Sequence, residues 1–192
     1  MVRVFIAVDI EDPVVVGRLA SIRDMLVSSG VPMKPVEDQN MHLTLRFIGE
    51  VPESMVDEIY EAMKPAKFKE FTMRLKGLGA FPTIARPRVL WIGVEEGAEE
   101  LRRIRDTIEA GLRRLGLRPE KERFIPHVTL ARVKGRGRME RLVRILTEYS
   151  GYEAGTVRVT SVRLKQSILT PRGPIYRTLR EVKAESQGEW QQ

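Results

Sequence analysis

His42-Leu43-Thr44-Leu45 and His127-Val128-Thr129-Leu130 are two copies of one pattern, histidine–apolar–threonine–leucine, and they hold both histidines of the chain. From composition, a given histidine is followed by apolar-Thr-Leu by chance roughly two times in a thousand. Two out of two is therefore a signal. Each copy lies in a run rich in β-branched and aromatic residues, 41–48 and 124–133, which predicts a strand. Side chains alternate along a strand, so His42 and Thr44 point to one face and Leu43 and Leu45 to the other, with the same division for His127/Thr129 against Val128/Leu130. The separation, 127 − 42 = 85, is near half of the 192 residues. It predicts two similar halves that set their polar faces opposite each other across a cleft.

Working outward, Arg3 to Ile10 alternates toward a strand. Asp12-Pro13 then opens an amphipathic helix to about Ser28, with Gly30 past its end. Residues 31–40, with Pro32 and Pro35, form a loop or short strand leading to the first histidine. Pro52-Glu53-Ser54 starts a helix that Pro65 stops. Phe68–Leu75 and Arg88–Val94 read as strands joined by a turn-rich loop around Gly77, Gly79, Phe81 and Pro82. Leu101, Ile104, Ile108, Leu112 and Leu115 fall at helical spacing over 96–115, and Gly116 closes that helix. After the second histidine strand, the basic stretch Lys134-Gly135-Arg136-Gly137-Arg138 connects to a helix over 139–149. Thr156–Leu169 and Ile175–Val182 then read as a final hairpin. Strands mixed with few helices, joined by hairpin-like connections, give an α+β fold with mainly antiparallel sheet. Residues 1–184 are expected to form one domain, and the polar tail 185–192 to be disordered.

The formal net charge of +7 favours polyanionic partners such as nucleic acid, although an ion-pair-rich surface explains the same composition. No apolar run approaches a membrane span and no basic-then-apolar leader is visible, so a cytoplasmic location is the default expectation. The absence of cysteine removes disulfides, thiolate metal sites and cysteine nucleophiles together.

Two facing histidines can divide acid and base roles, because imidazole has both forms available near neutrality. One ring takes a proton from water while the other gives one to a leaving oxygen. A threonine hydroxyl beside each ring can donate to an oxygen of a phosphoryl group. Arg46, four residues past His42, shares its face on a regular strand and is a candidate cation for that charge. Arg132, five past His127, by the same count faces away unless a bulge re-aims it. A zinc site wants three or four ligands, and Glu37, Asp38 and Glu50 are candidates only by proximity. Threonine as nucleophile lacks a fixed carboxylate orienter. No Walker or dinucleotide glycine motif is present. Phe81 can stack a base, as can Phe47, Trp91, Phe124 or Tyr176, with core packing the alternative for each.

The paired motifs resemble the signatures of the two-histidine (2H) phosphoesterases, and most closely the RNA 2′,3′-cyclic phosphodiesterase branch, also called 2′-5′ RNA ligases. The resemblance includes Val4-Phe5-Ile6-Ala7, the extension of the first motif to Gly49, Pro87 to Trp91, the extension of the second motif to Arg132, and Gly173-Pro174-Ile175-Tyr176. It implies a bilobal, pseudo-twofold fold with two antiparallel sheets facing a central cleft and helices outside. It also implies hydrolysis of an RNA 2′,3′-cyclic phosphate to a 2′-phosphomonoester without metal or other cofactor. By the motifs, His127 is the general base and His42 the general acid, while Thr44 and Thr129 hold phosphate oxygens. Arg132 falls where the family places an arginine near the phosphate, so a bulge or twist is expected there. The expected partner is RNA with a cyclic phosphate end, tRNA-derived ends included, with no membrane and with the chain acting as a monomer. The alternatives are 2′-5′ joining of RNA halves and an RNA-end-binding protein without turnover.

Overall fold

A computed structural model describes residues 1–186. The first strand, β1 (Val2–Asp9), leads into α1 (Pro13–Val27). Asp12 caps this helix, its side chain accepting from the amides of Val14 and Val15 at 3.0 Å each. Proline follows in the first turn, where its missing N–H is not needed. The short β2 (Met33–Pro35) and a single 3-10 turn (Asp38–Asn40) precede β3 (His42–Val51), which carries the first motif. Then come α2 (Met55–Met63), β4 (Phe71–Thr83), β5 (Arg86–Val94), α3 (Ala98–Arg114), β6 (His127–Val133) with the second motif, and α4 (Met139–Glu148). The last three elements are β7 (Glu153–Val159), β8 (Ser161–Thr170) and β9 (Gly173–Lys183).

The architecture is α+β, with helices backing a curled antiparallel sheet. The strand order β7-β4-β5-β6-β3-β1-β8-β9 contains two four-stranded halves, and β2 adds to β6. The two expected sheets are joined, because Leu43 of β3 pairs with Val128 of β6 and makes one continuous path. The motif strands are therefore the inner edges of the two halves. In register, that antiparallel pair sets His42 opposite Thr129 and Thr44 opposite His127, a pseudo-twofold arrangement about the middle of the sheet.

The halves of the sheet are not the halves of the sequence. The β4–β5 hairpin, from the first half of the chain, lies beside β6 from the second half. The β8–β9 hairpin, from the second half, lies beside β1 from the first. Each motif strand thus rests in a sheet built from both ends of the chain. The helices follow the same division: α1 packs on β7 and β6, α3 on β3 and α2. The α3 residues at helical spacing, Leu101, Ile104, Ile108 and Leu112, are all buried, as the amphipathic pattern requires.

Two expected boundaries differ. The loop expected around Gly77, Gly79, Phe81 and Pro82 is the body of β4, and the hairpin turns only after Thr83. Gly77 has φ +93° and sits where the β4–β5 register shifts. Gly79 lies under the Trp91 ring, where a Cβ would come within 2.3 Å of the indole. Glycine here admits a bulge and a large neighbour rather than a turn. The strand expected over 156–169 begins earlier and divides at Thr160 into β7 and β8, which pair in different halves. The tail expected from residue 185 starts ordered, since the Glu185 amide donates to the Phe68 carbonyl at 2.8 Å; residues 187–192 of that tail lie outside the described residues.

Candidate active site

Both histidines are held alike. The Nδ1 of His42 lies 2.7 Å from the backbone carbonyl of Asn40, and the Nδ1 of His127 lies 2.6 Å from that of Ile125. A carbonyl oxygen can only accept, so in each ring the neutral tautomer carries its proton on Nδ1 and leaves Nε2 free for proton transfer. Each ring is also wedged between two aromatic side chains. Tyr176 meets His42 edge-on at 5.2 Å with Phe5 tilted against it at 5.1 Å, while Phe81 meets His127 edge-on at 5.0 Å with Trp91 at 5.7 Å. Phe81, expected to stack a base, stands against Trp91 and His127, and like His127 it lies beside rather than among the residues lining the cleft.

The two motif strands share a burial pattern over six residues, alternating to the threonine and then placing two buried residues before an exposed one. A β-bulge causes it in both. On β3, Ala7 pairs with Thr44 and Ile6 with Arg46, so Leu45 is the extra residue. On β6, Trp91 pairs with Thr129 and Leu90 with Ala131, so Leu130 is the extra residue. One extra residue reverses the face of everything after it. Arg132 consequently turns into the cleft, as the resemblance requires and strand parity alone denies.

The same shift removes Arg46. Expected beside the phosphate, it is turned to the opposite face, 6% exposed. There its Nε lies 2.6 Å from Glu109 Oε1, out of line for a hydrogen bond, so the contact is an ion pair. Its Nη1 donates to the Phe47 carbonyl at 3.1 Å, and its Nη2 to the carbonyl of Arg118. Arg46 joins α3 and the following loop to the sheet and does not reach the site. Phe47 takes the cleft position that Arg132 holds in the other strand.

The cleft has a volume of about 590 Å³, and its lining includes His42, both motif threonines and Arg132. Thr44 Oγ1 lies 3.1 Å from His42 Nε2 and donates to it when the ring is neutral. Burial pushes both imidazoles below their ordinary pKa, and the Arg132 charge pushes the same way on each. His42 has charged groups that His127 lacks. Asp9 on β1, its register partner, favours its cationic form, while Lys165 on β8 opposes that. Burial would raise the Asp9 carboxyl, but Lys165 Nζ at 2.9 Å and Arg163 Nη1 at 2.8 Å hold it below the usual range. Burial raises the Tyr176 phenol, against the nearby charges of Arg132 and Arg3.

Sequence reasoning misses Asn40, whose carbonyl fixes His42 while its buried side-chain amide donates to the Pro174 carbonyl at 3.1 Å, tying the β8–β9 hairpin to the site. It also misses Arg3, whose guanidinium stacks 5.0 Å from the centre of the Phe47 ring. Nothing in their spacing marks either. Phe5 and Tyr176 do fall in segments that carry the resemblance. Of the acidic residues considered as metal ligands, Asp38 is paired with Arg23 at 2.5 Å, and Glu37 accepts from the Gln39 amide. Among the described residues no three His, Asp or Glu side chains gather at ligand spacing, and no helix is long and apolar enough to cross a membrane.

The family description "LigT like Phosphoesterase" matches this chain twice, over residues 10–91 and 92–176. The chain belongs to the LigT-like phosphoesterase family. A member from Aeropyrum pernix, named RNA 2′,3′-cyclic phosphodiesterase, is 57% identical over 90% of this chain and 98% of its own length. A member of the same name from Archaeoglobus fulgidus is 40% identical over 93% and 98%. The crystal structure of TT0787 of Thermus thermophilus superposes with a TM-score of 0.78 at 29% identity, covering 96% of this chain and 99% of that one. E. coli LigT, crystallised with 3′-AMP, shares the fold at a TM-score of 0.76 and 22% identity, over 96% and 98%. The two matched segments each contain one histidine strand, although each half of the sheet draws strands from both segments.

Proposed function

We propose that this LigT-like protein hydrolyses the 2′,3′-cyclic phosphate at an RNA 3′ end to a 2′-phosphomonoester, without a metal ion. Water attacks phosphorus and gives its proton to Nε2 of His127, while Nε2–H of His42 protonates the departing 3′ oxygen as the P–O3′ bond breaks. One observation carries the reading. Two imidazoles with the same Nδ1-to-carbonyl anchor stand on one face of the paired strands β3 and β6, and a single arginine, Arg132, acts on both. The division of roles rests on the motif order and on charge. Asp9 behind His42 favours the imidazolium that a general acid must be, working against burial, Lys165 and Arg132, whereas among the described residues no carboxylate acts on His127, which must be neutral to accept a proton. Thr44, Thr129 and Arg132 are suited to the non-bridging oxygens, whose charge grows as the pentacoordinate centre forms. The name carried by the relatives supports this substrate.

The test is turnover of an oligoribonucleotide with a 2′,3′-cyclic phosphate, in EDTA, with the product phosphomonoester identified. The wild type is expected to give the 2′-phosphate, and His42→Ala and His127→Ala each to lose about 10²–10⁴-fold in kcat. Binding without turnover by the wild type would replace this reading with an RNA-end-binding protein.

A further inference from the structure

The cleft extends past His42, and its two walls differ in chemistry. One wall is cationic. Lys34 of β2 is the register partner of Arg132 on β6, and Lys134 follows two residues after Arg132, about 6.6 Å further along the strand direction. All three line the cleft. Some cations outside the cleft are matched by carboxylates, as Arg74 is by Glu153 and Arg180 by Asp57. Among the described residues Lys34, Arg132 and Lys134 form no such pair. The one carboxylate in the lining, Glu37, accepts from Gln39. A single cyclic phosphate carries one negative charge, and these three cations, with Arg3 a fourth in the same lining, exceed it.

The opposite wall is apolar. Leu169 pairs with Pro174, and Tyr176 stands two residues beyond Pro174, so the three share the cleft face of the β8–β9 hairpin. Leu169 is 70% exposed, a large apolar side chain left open beside a polar site. The walls come close together, since Lys34 Nζ lies 3.7 Å from where a Cβ on Gly173 would stand. Phosphate-binding charge facing apolar surface is the arrangement that holds a single nucleic-acid strand, backbone on one side and bases on the other. A duplex end cannot use it, because its bases are paired.

We propose that this cleft is a single-strand track: Lys34 and Lys134 hold the phosphate on the 5′ side of the terminal nucleotide, and the hairpin face of Leu169 and Pro174 takes a base. The substrate class is then an unpaired RNA 3′ end of two nucleotides or more, rather than a cyclic mononucleotide. This rests on the proposed hydrolysis.

The experiment compares a cyclic mononucleotide with a dinucleotide ending in the same cyclic phosphate, for wild type, the double variant Lys34→Met/Lys134→Met, and Leu169→Asp. It is run across a salt series, with binding of the matching 2′-phosphate products measured in parallel. The wild type is expected to favour the dinucleotide by at least about tenfold in kcat/KM. The double variant should lose that preference, keep the mononucleotide rate within about twofold, and show a salt slope shallower by about 0.7, the contribution of one phosphate. Leu169→Asp should weaken the dinucleotide by about fivefold and leave the mononucleotide alone. Equal use of both substrates by the wild type, or an equal loss on both in the double variant, overturns the track. If neither cyclic end is turned over, the hydrolysis fails, and the product-binding pair still decides whether the track exists.

Discussion

Phe47 and Arg132 occupy equivalent places in two strands that otherwise match: histidine, apolar residue, threonine, a bulged leucine, a buried residue, then a side chain in the cleft. In β3 the arginine comes one position early and is buried in an ion pair with Glu109. In β6 the position before Arg132 is Ala131, and the arginine itself enters the site. The same residue type is therefore buried in an ion pair in one half and lines the cleft in the other, and a shift of one residue relative to a bulge decides which. The two motif strands thus carry a histidine each on one face but only one motif arginine there.

The largest separation between the halves should appear when both arginines are removed in turn. Arg46→Met leaves Glu109 buried and uncompensated and is expected to destabilise the fold by about 3–5 kcal/mol. Urea unfolding would show this, with the folded fraction still active. Arg132→Met should do the reverse, reducing kcat by about 10²–10³ with an unchanged unfolding midpoint. If Arg46→Met proved inactive yet fully stable, the bulge would not divide the roles this way. A smaller difference is expected between the threonines. Thr44 hydrogen-bonds His42, whereas among the described residues no such bond joins Thr129 to His127. Thr44→Val and Thr129→Val should each slow turnover about three- to tenfold. Only Thr44→Val should also displace one limb of the pH–rate profile, and a shift in neither variant would mean that the Thr44 bond does not persist during turnover.

Much of this was legible in the sequence because it depends on local pattern. The histidine strands, the α3 stripe from Leu101 to Leu112 and the β8–β9 hairpin follow from periodicity and turn residues. The site histidines follow from one repeated tetrapeptide. What was not legible depends on pairing between distant segments. Strand parity assigns Arg46 to the cleft and Arg132 away from it, and both assignments invert together because Leu45 and Leu130 are bulged. The bulges exist only relative to the partner strands β1 and β5. Gly77 and Gly79 suggest a loop until the Trp91 ring, across a strand pair, explains the second of them. The partner that buries Arg46 lies on α3, 63 residues away (109 − 46), and nothing local announces it.

The division of acid and base between the two histidines is tested most directly by the pH dependence of kcat/KM on a cyclic-phosphate-ended dinucleotide, for the wild type and for the residual activity of each alanine variant. Burial and Arg132 lower both imidazole pKa values, so the wild-type profile should be a bell centred on the acid side of about pH 6.5. His127→Ala should lose the rising acid limb, because no base remains to be deprotonated, and His42→Ala the falling alkaline limb, because no acid remains to lose its proton. Retention of both limbs in both variants, or the opposite assignment of limbs, would contradict the account.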